Sequence, residues 1–265
     1  MQRLLLLALV ATLGCASSPG RPNDITAALK ARKQLTRELV ARGDLASAFA
    51  YADELHRQRP DDAEVLTLRG IIFRERNMPA EAEADLRAAL VADNRNADAH
   101  AALGILLDSS GRSGDAEAHH RRAVALDGRS ATYLNNLGFS LLVQRKARDA
   151  IDVLQRAARL DPMNRRIRTN LGFAHAAAGD LPRAAREFEM GGTPAEAKNN
   201  LGFAYEHRGD RGNAFDLYVA ALRLDPDCLR ARNNLGHIAQ ALGREIPADI
   251  SASSRPAKNI QEVTP

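Results

Sequence analysis

The sequence predicts an all-α fold, an α-solenoid of stacked helix hairpins. Three observations carry the prediction. First, a Leu-Gly pair recurs, as Asn135-Asn136-Leu137-Gly138-Phe139, Asn170-Leu171-Gly172-Phe173, Asn199-Asn200-Leu201-Gly202-Phe203 and Asn233-Asn234-Leu235-Gly236-His237. With Gly70 and Gly104 upstream, four of the five glycine intervals are 34 residues and one is 30. A fixed period of that length marks an array of stacked supersecondary units. Second, apolar residues make up 45% of the chain but aromatics only 4%, with no Trp. A core of Ala and Leu suits closely apposed helices better than strands, which favour β-branched and aromatic side chains. Third, each period holds two apolar runs at helical spacing separated by a break.

At the amino terminus, Met1-Gln2-Arg3 is basic, Leu4 to Leu13 is apolar apart from Thr12, and Gly14-Cys15-Ala16-Ser17-Ser18 follows. A basic start, a short apolar run and small residues describe a secretory signal over residues 1–14. The run is about ten residues, roughly half of what spans a bilayer as a helix. Residues 15–28 then read as a tether, with Pro19, Gly20 and Pro22 in a polar stretch.

The array occupies 29–246, with six units starting near 29, 63, 97, 131, 165 and 195. In the unit from 131, Leu134, Leu137 and Leu141 line one helix, and Ala150, Leu154 and Ala157 line the next. Asp161-Pro162 closes it, because proline cannot continue a helix interior. Gly43-Asp44, Gly179-Asp180 and Gly209-Asp210 separate paired helices, glycine stopping the first and Asp capping the second. The first unit is atypical, with Thr36 at position eight, as a terminal unit facing water can be. His120 takes a place where a large apolar residue is usual. In the short unit from 165, Gly191-Gly192-Thr193-Pro194 cuts the second helix. Four residues lost is about one turn, ~6 Å, so the following helix keeps its facing and only the curvature changes. A lone helix over 229–242 ends the array, and the polar stretch 247–265 is expected to be disordered.

This pattern resembles the tetratricopeptide repeat (TPR): Leu-Gly at seven and eight, Ala at twenty and twenty-seven, a large residue at twenty-four and Pro at thirty-two of each unit. The resemblance implies a right-handed solenoid whose first helices line a concave groove, mainly through positions two, five, six, nine, twelve and thirteen. Small residues at eight, twenty and twenty-seven fit where two helices approach most closely. Cys15, behind the apolar run and after Gly14, resembles the bacterial lipobox, although Thr12 stands where Leu is preferred. That resemblance implies cleavage before Cys15 and lipidation of its sulfur. With Ala16 following, it also implies an outer-membrane lipoprotein facing the periplasm; plain secretion to the periplasm is the alternative.

Little in the sequence carries chemistry. Gly111-Arg112-Ser113-Gly114 lacks the Lys-Ser/Thr of a phosphate loop and no His-Glu-x-x-His exists. His119 and His120 are neighbours pointing to different sides of a helix, and no Ser, His and carboxylate set stands out. Cys228 reads as a small buried residue rather than a nucleophile. The expectation is no enzyme activity, no cofactor, no metal and no small-molecule substrate. The formal charge of +4 is spread along the chain without a basic stripe, so no nucleic acid is expected.

The informative surface is the implied groove. At positions five and six it carries Asn135 and Asn136, Thr169 and Asn170, Asn199 and Asn200, Asn233 and Asn234. At nine it carries Phe139, Phe173, Phe203 and His237. One helical turn separates five from nine, so the amides stand beside the rings. Two readings follow. A row of amides, each both donor and acceptor, can satisfy the backbone of an extended peptide, with the rings adding apolar contact. Equally, Asn at six and Phe at nine can serve packing between units. The carboxylate clamp of the chaperone-tail TPR proteins is incomplete. Lys33 and Arg37 occupy five and nine of the first unit, but Leu68, Ala101 and Ile105 fill later clamp positions. The predicted partner is thus a protein segment in the groove, with the membrane reached through lipid on Cys15. The layout also resembles TPR lipoproteins of tight-adherence (Flp-type) pilus assembly. It implies a scaffold assisting a pilus or secretion machine. The alternatives are an accessory lipoprotein for outer-membrane protein or secretin assembly, or a non-catalytic subunit of an envelope enzyme complex.

Overall fold

The computed structural model describes residues 22–251. The expected signal peptide over 1–14, Cys15 and the stretch from 252 onward lie outside them. The described residues form helices and no strand. Six hairpins follow one another: α1 (Pro22–Ala41) with α2 (Leu45–Gln58), α3 (Ala63–Glu75) with α4 (Pro79–Ala92), α5 (Ala97–Ser109) with α6 (Ser113–Leu126), α7 (Ala131–Val143) with α8 (Ala147–Leu160), α9 (Arg165–Ala177) with α10 (Leu181–Gly191), and α11 (Pro194–His207) with α12 (Arg211–Leu224). The lone helix α13 (Leu229–Leu242) and one turn, α14 (Ala248–Ser251), complete the chain. None of these helices is long and apolar enough to cross a membrane.

Each helix packs only against those one or two places along the chain. That is the contact pattern of a quasi-one-dimensional stack. The odd-numbered helices touch one another from α1 to α13, whereas α2, α4, α6, α8, α10 and α12 do not touch each other. The odd helices therefore lie on the inside of the curve and line its concave face.

Local signals set the helix ends. Asp62, Asn96, Ser130, Asn164 and Thr193 cap the first helices of their units, each side chain accepting a backbone N–H of the first turn. Asp44, Asp180 and Asp210 cap second helices in the same way. The short unit runs straight into the next hairpin. Gly192 is extended, Thr193 and Glu196 form a reciprocal capping box, and Pro194 opens α11. Helices α9 and α10 both touch α11, so no domain boundary falls there.

The ends differ from the sequence expectation. Helix α1 begins at Pro22, so residues 22–28 continue the array instead of forming part of a tether. Proline is compatible with a helix start, since its missing N–H has no intrahelical partner there. At the other end, α14 tucks Ile250 under α12 and α13, with 5% of its surface exposed. Asp249 also accepts a hydrogen bond of 2.9 Å from Arg223. The polar composition of 247–265 hid this single apolar plug.

The core is a repeated lock between position eight and position twenty-four. A Cβ added to Gly138 would lie 2.4 Å from Leu154 Cγ. The same lock pairs Gly104 with His120, Gly172 with Phe188, and Gly202 with Tyr218. At Gly236, where no partner helix completes the unit, nothing stands within 4 Å of the added atom. Gly138→Ala should therefore destabilise the protein by about 1–3 kcal/mol through overpacking. Gly236→Ala should leave it unchanged or stabilise it by up to ~1 kcal/mol from helix propensity. Thermal unfolding followed by circular dichroism checks the pair; equal shifts in the same direction would contradict the lock.

Candidate functional site

The concave face is built from the inner edges of α5, α7, α9 and α11. Their position-nine residues project toward the groove because the Leu at seven and Gly at eight are turned into the hairpin. Leu137 and Gly138 are buried while Phe139 is 48% exposed; Phe203 is 40% exposed and Phe173 half-buried. The rings are not isolated. Phe173 meets Phe203 edge-to-face at 5.8 Å across the unit boundary, and Phe188 of the core at 4.9 Å. Phe203 stacks edge-on with His207 at 4.2 Å. Such geometry suits the aromatic quadrupole and fixes the stripe to the core beneath it.

Two cavities open along this stripe. One, of about 710 Å³, lies among Phe139, Val143, Phe173, Phe203, His207 and Arg208. The other, of about 620 Å³, lies among Ile105, Asp108, His120, Asn135, Phe139 and Arg166. Phe139, Val143 and Asn170 line both, so the two form one trough spanning four units. Its walls are mainly apolar with a few polar groups, as expected of a binding cleft.

The amides divide into two sets. Asn135 and Asn199, at position five, are buried, with 6% and 4% of their surface exposed. Each accepts a hydrogen bond from the position-six amide of the following unit: Asn170 Nδ2 to Asn135 Oδ1 at 2.9 Å, and Asn234 Nδ2 to Asn199 Oδ1 at 3.0 Å. These two position-five amides join neighbouring units. The relay skips the unit from 165, where Thr169 replaces Asn at position five. There Asn200 Oδ1 instead accepts from Asn199 Nδ2 at 3.3 Å. Asn136, Asn170 and Asn200 remain partly exposed. Asn136 and Asn170 line the trough, and Asn200 lines a small hollow of about 250 Å³ with Arg165, Arg166 and Arg230. Asn233 and His237 are exposed on α13 and line neither large cavity. The trough thus gathers the central part of the predicted set and leaves its last unit outside.

Some trough residues were missed from sequence. Val143 and His207 both fall at position thirteen, a groove position of the repeat, and could have been read from it. Arg145 and Arg208 stand in the turns after α7 and α11 and had no such signal. The histidines also hold surprises. His100 and His119 approach through their Nδ1 atoms at 3.0 Å, and burial lowers the pKa of both. His120, standing where a large apolar residue is usual, is 1% exposed and fills the large position-twenty-four site against Gly104. Its Nε2 lies 3.0 Å from Asp108 Oδ2, and Ser140 Oγ donates to Asp108 Oδ1 at 3.0 Å. This Ser, carboxylate and His set was not anticipated. The carboxylate sits between hydroxyl and imidazole and ties α5, α6 and α7 together, with Ser140 and His120 both buried. No group of three or more metal-ligating side chains converges among the described residues.

At the array's start, the two clamp-like cations are engaged internally. Lys33 Nζ donates to Asp62 Oδ1 and Oδ2 at 2.9 and 2.8 Å and to Glu64 Oε2 at 2.8 Å, and Arg37 pairs with Glu64. Burial alone would raise both carboxyl pKa values, but hydrogen bonds and charge from Lys33, with Arg37 added at Glu64, hold them below the ordinary range. Residues of the second unit therefore occupy the place a bound carboxylate would take.

No curated protein matches the chain. Solved structures do. PilF of Pseudomonas aeruginosa superposes with a TM-score of 0.63 at 20% identity, covering 80% of this chain and 98% of that one. PilW, described as a widely conserved type IV pilus biogenesis factor, superposes with a TM-score of 0.66 at 18% identity, covering 78% and 98%. YrrB, a TPR protein with an unusual peptide-binding site, gives 0.54 at 22% identity, covering 69% and 96%. At these identities the likeness is one of fold. The family assignment comes from sequence. Tetratricopeptide repeat models match residues 34–97, 67–131 and 135–197, and again 195–228. Period, glycine lock, concave odd helices and these matches agree: the chain belongs to the tetratricopeptide repeat family.

Proposed function

We propose that the protein is a non-enzymatic scaffold of the cell envelope, anchored by lipid on Cys15, that binds an extended segment of a partner protein along its concave trough during assembly of a pilus or secretion machine. The observation that carries this reading is the trough itself. Phe139, Val143 and Phe203 leave 48%, 52% and 40% of their surface open on one face. Apolar patches concentrated in this way mark interaction sites. Peptide binding by YrrB and the pilus role of PilW are consistent with it, as properties of proteins that share the fold. The amide contribution narrows to Asn136, Asn170 and Asn200, whose side chains are partly exposed. The anchor rests on the lipobox-like residues Leu13-Gly14-Cys15-Ala16.

Photo-crosslinking from position 173 in the native host tests the reading. A protein partner should be recovered from the trough and not from probes on α8 or α12 of the convex side. Recovery from the convex side alone would remove the groove hypothesis. Loss of a single fibre or secretin in the deletion strain supports the machine-specific role. A general outer-membrane protein defect would favour the accessory reading instead. Incorporation of labelled palmitate that survives Cys15→Ser would remove the anchor.

A further inference from the structure

The trough has an unbalanced rim, and the imbalance states what its occupant carries. We propose that the trough takes a partner segment in which an apolar or aromatic residue is flanked by Asp or Glu. This rests on the groove reading above and specifies its ligand. The carboxylates on this side of the array are already engaged. Asp108 accepts from Ser140 and lies against His120, both at 3.0 Å. Asp98 accepts from Tyr133 at 2.5 Å and Glu206 from Tyr218 at 2.7 Å. Glu196 closes the capping box at 2.7 Å from Thr193 N and pairs with Arg165.

The cations are not matched in this way. Arg145 and Arg208 border the larger cavity, and Arg166 borders the smaller one. Arg230 adjoins Arg166 in the hollow beside Asn170 and Asn200. All four are exposed, and among the described residues none of their guanidinium groups makes a hydrogen bond or ion pair. Arg208 lowers the pKa of nearby Asp210 and Arg230 that of Glu196 through charge alone, without an ion pair. Arg145 also sits in the left-handed backbone region with a φ of 60°, which glycine adopts more easily than a residue with a Cβ. A guanidinium there stands at the rim in spite of the backbone it needs.

An apolar floor flanked by free guanidinium groups complements an apolar side chain flanked by carboxylates, which arginine can bind bidentately. The chain's own end fits poorly. Residues 252–265 carry Arg255 and Lys258 against a single acid, Glu262. A second copy fits no better, since the protein is itself basic at +4. Nucleic acid would need a tract of phosphate contacts along the backbone, and here the cations edge a narrow apolar slot.

Selection of a random displayed peptide library on the immobilised full chain tests this. Retained peptides should show an aromatic or large aliphatic residue with Asp or Glu on either side. A synthetic peptide of the enriched sequence should bind about tenfold or more weakly to Arg145→Glu with Arg208→Glu, and weaken with added salt. It should bind ~30-fold more weakly to Phe139→Ala with Phe203→Ala, as interface anchors do. Enriched peptides that need Phe139 and Phe203 but show no acidic bias, or that keep their affinity after charge reversal, overturn the present inference alone. Peptides indifferent to the two phenylalanines, or no enrichment at all, overturn the groove reading and this inference with it.

Discussion

Replacing Phe188 by alanine is expected to cost about 3–5 kcal/mol, in the range of buried aromatic truncations. Phe188 is fully buried, fills the position-twenty-four site of the shortest second helix, and lies against the backbone of Gly172. Helix α10 has 11 residues where α8 and α12 have 14. The damage should stay local at first, because a stack unfolds by units and nearest-neighbour interfaces. Hydrogen exchange should accelerate in α9, α10 and α11 before α3 to α6. The groove should also suffer, since Phe173 rests on Phe188 at 4.9 Å. A melting temperature within the range of surface substitutions, or uniform acceleration of exchange, would contradict this account.

The second large effect concerns the amide relay. Asn170→Ala is expected to lower stability by about 1–3 kcal/mol, because it leaves the carbonyl oxygen of buried Asn135 without its donor. Asn234→Ala should act alike through Asn199. Asn233→Ala, on an exposed position, should fall within ~0.5 kcal/mol of the parent. A double-substitution cycle of Asn135 and Asn170 should show coupling of about 0.5–3 kcal/mol. Urea unfolding provides the measurement, and a cost for Asn170→Ala no larger than for Asn233→Ala would sink the relay. This expectation follows the packing reading of Asn at these positions, one of the two the sequence leaves open. It also sharpens binding experiments: Asn136→Ala probes the trough more cleanly than Asn170→Ala.

The two effects show why some of the site was legible beforehand and some was not. The position-nine phenylalanines were readable because a helix has a fixed period: once Gly138 faces its partner helix, Phe139 must turn about 100° away from it. Position five lies on the border between groove and neighbouring unit. Whether Asn135 faces a ligand or Asn170 depends on the spacing of adjacent hairpins, which no single helix encodes. The same limit hid the set of Ser140, Asp108 and His120, whose members come from three helices. It also hid the neutralisation of Lys33 by Asp62 and Glu64 across a unit boundary.

What the sequence determined by itself was everything that repeats along the chain: helical class, unit length, hairpin boundaries, the glycine contacts and the facing of the aromatic stripe. These follow from local periodicity and from side-chain size, and both are written in consecutive residues. Only the tertiary structure decided which polar groups are consumed between units and which are left open to a partner. That choice rests on distances of about 3 Å between side chains 29 to 35 residues apart, as in Lys33 with Asp62 and Asn135 with Asn170. Hydrogen bonding weakens steeply beyond that range. The curvature of the stack is what brings such groups within it.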